Sequence, residues 1–154
     1  MNIIFVCTDN FSRSVTAELC AKKFLEDRNI NGIKVFSAGI DINRDISNYL
    51  RTHFERMKTY GIDLESIAPR KQLSANMINE SNIIVAMSAE HKQEIETKYG
   101  VKVVLYEELA NNKSTTLLPI KYADFFELEA GLIEMVDYIY MQTPAVIKNI
   151  IENY

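Results

Sequence analysis

Tryptophan is absent from this chain, and cysteine occurs only twice, as Cys7 and Cys20. Two cysteines build neither a disulfide scaffold nor a zinc site. Basic residues never form a run of five, and the formal charge is −4. That balance speaks against a nucleic-acid binder, which should present a basic face. No stretch approaches the roughly 18 consecutive apolar residues of a membrane span. The N-terminal apolar run, Ile3 to Val6, is too short and wrongly flanked for a signal peptide. Internal repeats, low-complexity tracts and linkers are also missing. A reducing, cytoplasmic setting is the expectation, and it suits a free thiol.

What is present is an ordinary globular composition, 47% apolar and 25% charged over 154 residues. This length supports a single domain over 1–154, able to bury roughly 70% of the unfolded surface. Asn2 to Cys7 is a short run of strand formers that ends at the turn signal Thr8-Asp9-Asn10. From Ser14 to about Arg28 the apolar spacing becomes helical. Lys34 to Ser37 reads as a second strand, stopped by Gly39. Ile46 to Tyr60 is amphipathic and ends at Gly61, a helix C-cap signal. Ser74 to Glu80 is a short helix, and Asn82 to Met87 the most apolar strand. Ser88 sits at the N-cap of a helix that ends near Gly100. Val101 to Leu105 reads as a fourth strand, and Tyr106 to Ala123 as irregular. A long helix follows from about Phe126 to Met141, and a shorter one begins near Pro144.

Strands alternating with helices imply parallel pairing and right-handed crossovers. The fold class is therefore α/β: a three-layer open sheet of four parallel strands with helices on both faces. Ligands of such sheets bind beyond the carboxyl ends of the strands, so residues 8 to 13 are the first place to look. There a cysteine ends a strand, five residues intervene, and an arginine opens a helix. Five residues suffice to curl main-chain N–H groups round a tetrahedral oxyanion. The following helix adds its free N–H groups and positive end. Arg13 supplies a planar fork for two oxygens. The same positive field favours the thiolate at Cys7 and makes it a nucleophile, with Ser14 as a hydrogen-bond donor. His53, in mid-helix, and His91, in the first turn of another helix, lack an i+4 ligand partner and are not expected in catalysis.

The segment Phe5-Val6-Cys7-Thr8-Asp9-Asn10-Phe11-Ser12-Arg13-Ser14 resembles the signature loop of the low-molecular-weight protein tyrosine phosphatases. Further likeness lies in Ser37-Ala38-Gly39, in Gly61-Ile62-Asp63 with Arg70-Lys71-Gln72-Leu73, and in Ile83 to His91. The resemblance implies a metal-free, cofactor-free phosphomonoesterase acting on a phosphorylated protein, phosphotyrosine foremost, or on a small phosphomonoester, as a monomer or weak dimer. It implies a phosphocysteine on Cys7, phosphate held by Arg13 and the loop from Thr8 to Ser12, Asn10 shaping that loop, and Ser14 tuning the thiolate.

Four departures accompany it. The family's Asp-Pro is missing; Asp124, before Phe125 and Phe126, is the candidate general acid, with Phe126 as an aromatic pocket wall. Asp9 stands where the family usually has glycine and should weaken phosphate affinity. Ser12 replaces a frequent second cysteine and forms no protective disulfide. Asn43 and Arg44 occupy the place of an aromatic pocket residue and give a polar, cationic rim. Two alternatives follow: a phosphate- or phosphoprotein-binding module with feeble turnover, and an arsenate reductase, which would need further cysteines to carry a disulfide cascade.

Overall fold

The computed structural model describes residues 1–65, 67–117 and 125–154. Strands β1 (Asn2–Cys7), β2 (Lys34–Gly39), β3 (Ile83–Ala86) and β4 (Val104–Leu105) form one parallel sheet in the order β2-β1-β3-β4. The helices are α1 (Arg13–Asp27), α2 (Thr52–Thr59), α3 (Ala75–Glu80), α4 (Ala89–Tyr99), α5 (Tyr106–Asn111) and α6 (Phe125–Asn153). None of the described helices is long and apolar enough to cross a membrane.

Alternation along β1 sorts the core into two layers. Ile3, Phe5 and Cys7 face one cluster, with Leu19 of α1, Met57 of α2, Leu109 of α5 and Ile139 of α6. Ile4 and Val6 face the other, with Ile78 of α3 and Ile95 of α4. Both faces are covered, so β1 reads as a continuous apolar run. Cys7 closes β1 beside Gly39 of β2, at the carboxyl edge of the sheet.

Four expectations need correction. The helix expected from Ile46 begins only at Thr52. The Asp45 carboxylate accepts the Ser47 N–H at 2.9 Å, and Tyr49 N–H bonds Ile46 O at 3.0 Å. These local turns compete with helix. Its end is as expected, with Gly61 left-handed at φ 71°. β4 is two residues long because Val103 N–H is taken by the Glu96 carboxylate at 3.1 Å. The stretch expected to be irregular opens with α5, whose Glu108 carboxylate reaches back to Leu105 N–H at 2.9 Å.

Finally, one helix runs straight through Pro144. A proline there costs about 3 kcal/mol. Beyond it Val146, Ile147 and Ile150 are fully buried, worth roughly 1.5–3 kcal/mol each. Packing therefore outweighs the lost hydrogen bond. The Thr143 and Tyr106 hydroxyls also both donate to Ile139 O, at 2.7 and 3.1 Å.

The tightest contact lies where β2 ends. A Cβ on Gly39 would stand 2.8 Å from Asn10 N and 2.8 Å from Thr8 O. Both are main-chain atoms that cannot swing aside, and Ile42 Cγ2 crowds the same point at 2.9 Å. Gly39→Ala is expected to cost about 1–3 kcal/mol by overpacking. A urea titration checks this, and an unchanged midpoint would show the approach to be slack.

Candidate active site

The loop between β1 and α1 is residues 8–12. Asn10 turns it with φ 51°, a left-handed conformation that asparagine tolerates better than most residues. Asp9 has no positive φ, so its departure from glycine carries no backbone penalty. The main-chain N–H groups of residues 9 to 15 find no acceptor among the described residues. These amides and the start of a fifteen-residue helix form an anion cradle. The Arg13 guanidinium has no hydrogen bond or ion pair among the described residues and lines the cleft above the loop. This cleft measures about 410 Å³. Thr8, Asp9, Phe11 and Ser12 form its floor, Arg44, Asn48, Tyr49 and Leu50 one wall, and Leu128 and Leu132 of α6 the other.

The direction of each hydrogen bond below the loop can be worked out. Lys71 N–H donates to Asn10 Oδ1 at 2.8 Å, which fixes the orientation of that amide. Asn10 Nδ2 then donates to Ser37 Oγ at 2.8 Å and to Ser14 Oγ at 3.1 Å. Ser37 passes its own proton to Glu18 Oε2 at 2.6 Å, and Glu18 is ion-paired with Lys22. Ser14 already accepts from Asn10. Its hydroxyl proton is left for Cys7 Sγ, 2.9 Å away. The sulfur is the one acceptor that the described residues offer to this hydroxyl proton. Cys7 is 1% exposed and ends an apolar strand face, yet its sulfur meets a hydroxyl at the floor of the cradle.

A model of the low molecular weight phosphotyrosine protein phosphatases matches residues 2–142. The chain belongs to this family. It is thus a cysteine-dependent phosphatase of the low-molecular-weight class. The low molecular weight protein-tyrosine-phosphatase PtpB of Staphylococcus haemolyticus is 32% identical over 108 residues, 70% of this chain and 71% of that protein. A protein-arginine-phosphatase of Bacillus subtilis is 30% identical over 103 residues, 65% of this chain and 64% of that one. The crystal structure of the low molecular weight protein tyrosine phosphatase from T. tengcongensis superposes with a TM-score of 0.80 at 21% identity, covering 96% of this chain and 98% of that one. This last likeness is one of fold.

Of the residues singled out by sequence, Cys7, Thr8, Asp9, Asn10, Phe11, Ser12, Arg13 and Ser14 come together around one loop. Asn43 is not among the cleft's lining residues. Its N–H is held by the Asp41 carboxylate at 3.0 Å, and its neighbour Arg44 lines the wall instead. Asp124 and the side chain of Phe126 lie outside the described residues.

The sequence reading passed over several contacts of the phosphatase loop. Arg70 ties three carbonyls together, those of Asp9, Ile42 and Arg44, at 3.2, 2.8 and 3.2 Å. Both histidines also hold the loop. His53 Nε2 donates to Phe11 O at 3.2 Å, and His91 Nε2 lies 2.9 Å from Thr8 Oγ1. No local spacing announces these contacts, which span 42 and 83 residues of chain.

Burial pushes both imidazoles down to about 4, helped at His91 by the charge of Arg13 and at His53 by that of Arg51. Their ordinary value is 6.5. Between those values the unfolded chain binds more protons than the folded one. Their contribution to stability is therefore complete above pH 6.5 and is lost as the pH falls toward 4. Lowering the pH from 7 to 5 should cost roughly 2 kcal/mol per ring. Paired carboxylates act alike in wild type and variant, so His53→Gln and His91→Gln should each flatten the pH dependence of the urea midpoint. Equal slopes in all three proteins would contradict this.

Proposed function

We propose that this chain is a protein phosphatase that hydrolyses phosphotyrosine through a phosphocysteine on Cys7. The observation that carries the reading is the hydrogen-bond network in which Asn10 joins Ser37, itself bonded to Glu18, to Ser14 beside the Cys7 sulfur, beneath amides that find no acceptor among the described residues. Cys7 attacks phosphorus, and the amides of the loop and Arg13 take up the charge on the equatorial oxygens. The leaving oxygen receives its proton from Asp124. Water then attacks the phosphocysteine, and the same carboxylate accepts its proton. In support of Asp124, the chain leads from it straight into α6, whose Leu128 and Leu132 line the cleft. The aliphatic faces of Leu50, Leu128 and Leu132, with Tyr49, suit a flat aromatic ring. The reducing cytoplasm is the matching compartment for a free thiol nucleophile.

Phosphoarginine is a second reading, favoured by one observation: the cleft is lined in part by Asp9. A guanidinium is a suitable partner for it, and the Bacillus subtilis relative is an arginine phosphatase by name. The arsenate reductase reading has little support. Cys20 is buried in α1, where burial pushes its thiol up to about 12, unsuited to thiolate exchange.

Initial rates on para-nitrophenyl phosphate, a phosphotyrosine peptide and a phosphoarginine peptide test the proposal together. Cys7→Ser should abolish turnover of all three, and Asp124→Ala should lower kcat about 10²- to 10⁴-fold on the first two. An active Cys7→Ser would end the covalent mechanism, and an unimpaired Asp124→Ala would remove the acid. Preference for the phosphoarginine peptide would select the second reading.

Asp9 lines the cleft in which the phosphate would bind. Like charges a few ångströms apart at a wet surface repel by about 1 kcal/mol. Asp9→Gly should therefore lower the inhibition constant of inorganic phosphate by about 3- to 10-fold. No gain in the variant would mean that this carboxylate turns to solvent.

A further inference from the structure

Thr8 follows the nucleophile and lines the cleft, and its hydroxyl lies 2.9 Å from His91 Nε2. His91 belongs to the first turn of α4, where its N–H is capped by the Ser88 hydroxyl at 3.2 Å. Its ring is buried, and Nδ1 has no hydrogen-bond partner among the described residues.

Two neutral tautomers are possible. With the proton on Nδ1, a buried N–H would be left without an acceptor. With the proton on Nε2, only a ring lone pair goes unpaired. Orphaned buried donors are the rarer case. The same molecule repeats the choice at His53. There Nε2 faces the Phe11 carbonyl and has to be the donor, and Nδ1 is again buried without a partner. His91 therefore carries its proton on Nε2 and donates it to Thr8 Oγ1.

A hydroxyl that accepts from a ring keeps its own proton for another acceptor. That proton belongs to a residue lining the cleft beside Arg13 and next to the unpaired loop amides. We propose that His91 is a positioning residue that orients the Thr8 hydroxyl as a donor to a phosphoryl oxygen held in the loop. This rests on the phosphatase reading of that loop and adds to it a side-chain donor and the buried ring that aims it. It also gives a purpose to a histidine held neutral beside an anion site: the ring works by direction, not by charge.

The test is binding of inorganic phosphate, measured by calorimetry without turnover, together with kcat and KM on para-nitrophenyl phosphate. Thr8→Val keeps the shape and removes the O–H. It should weaken phosphate binding and lower kcat/KM, each by about 10-fold or more. Thr8→Ser should restore both to within about threefold of wild type. His91→Leu should lose about 3- to 10-fold in both. Added to Thr8→Val it should cost nothing more, because the ring acts only through that hydroxyl.

His91→Gln, which offers an amide N–H, should recover part of the loss. Long-range ¹H–¹⁵N NMR of wild type should place the His91 proton on Nε2. Full phosphate affinity in Thr8→Val, additive losses in the double variant, or a proton on Nδ1 would each overturn the inference while leaving the phosphatase reading intact. A wild-type protein that does not bind phosphate would overturn both.

Discussion

Asn10 serves the main chain and a side-chain network at once. Its backbone is left-handed at φ 51°, a turn in the loop whose N–H groups find no acceptor among the described residues, at a cost of about 1–3 kcal/mol for a non-glycine residue. Its side chain makes three buried or part-buried hydrogen bonds, from Lys71 N–H and to Ser37 and Ser14, each worth about 1 kcal/mol net. The two are of the same size, so the strained turn persists only while the amide keeps all three partners. Those partners lie on the 71–73 segment, β2 and α1. The loop's shape therefore depends on the register that sets Cys7 beside Gly39 and Gly39 beside Gln72.

That register is also what lets the helices on both sides of the sheet grip the loop. His53 reaches Phe11 from α2, in the layer shared with α1 and α6, and His91 reaches Thr8 from α4, in the opposite layer. Both rings are neutral at ordinary pH because burial disfavours their charge. They hold the loop without adding charge to it. The positive field at the site then comes from oriented amides and Arg13, inside a chain whose formal charge is −4. A local field of this kind needs no net positive protein, because fixed dipoles at close range outweigh distant, screened surface charges.

Local chemistry was legible in the sequence, and contacts across the fold were not. β1 and α4 follow from strand formers and from the Ser88 cap, signals carried within a few residues. The Cys7-to-Arg13 spacing marked the loop for the same reason. The start of α2 was misplaced because an Asp45 turn outbid an amphipathic pattern. α6 was cut at Pro144 because propensity is local, whereas the burial of Val146, Ile147 and Ile150 that carries the helix onward is tertiary. At the site, Lys71, Ser37, Arg70, His53 and His91 meet the loop across long sequence separations. No pattern in one segment can show that a lysine N–H fixes the orientation of an asparagine amide 61 residues away.

The loop and the cleft walls are built on different supports. Cys7 and the Ser14 hydroxyl beside it stand at the carboxyl end of a buried sheet. The cleft walls come from the segment leading into α2 and from the first turns of α6. These walls are joined by Arg56 and Asp137, a two-pronged ion pair at 2.6 and 2.9 Å, with the Tyr60 hydroxyl also donating to Asp137 at 2.8 Å. Tyr60, just past α2, stacks on Tyr140 of α6 at 3.9 Å, so the segments that carry the two walls are joined by contacts of α2 and α6. The hydrogen bonds of Asn10 to Ser37 and Ser14 involve no wall residue, whereas Arg70 ties Arg44 of one wall to the loop through the Asp9 carbonyl. The residues above the loop are thus set by the segment leading into α2 and by α6, while the loop itself is held by contacts to the end of the sheet.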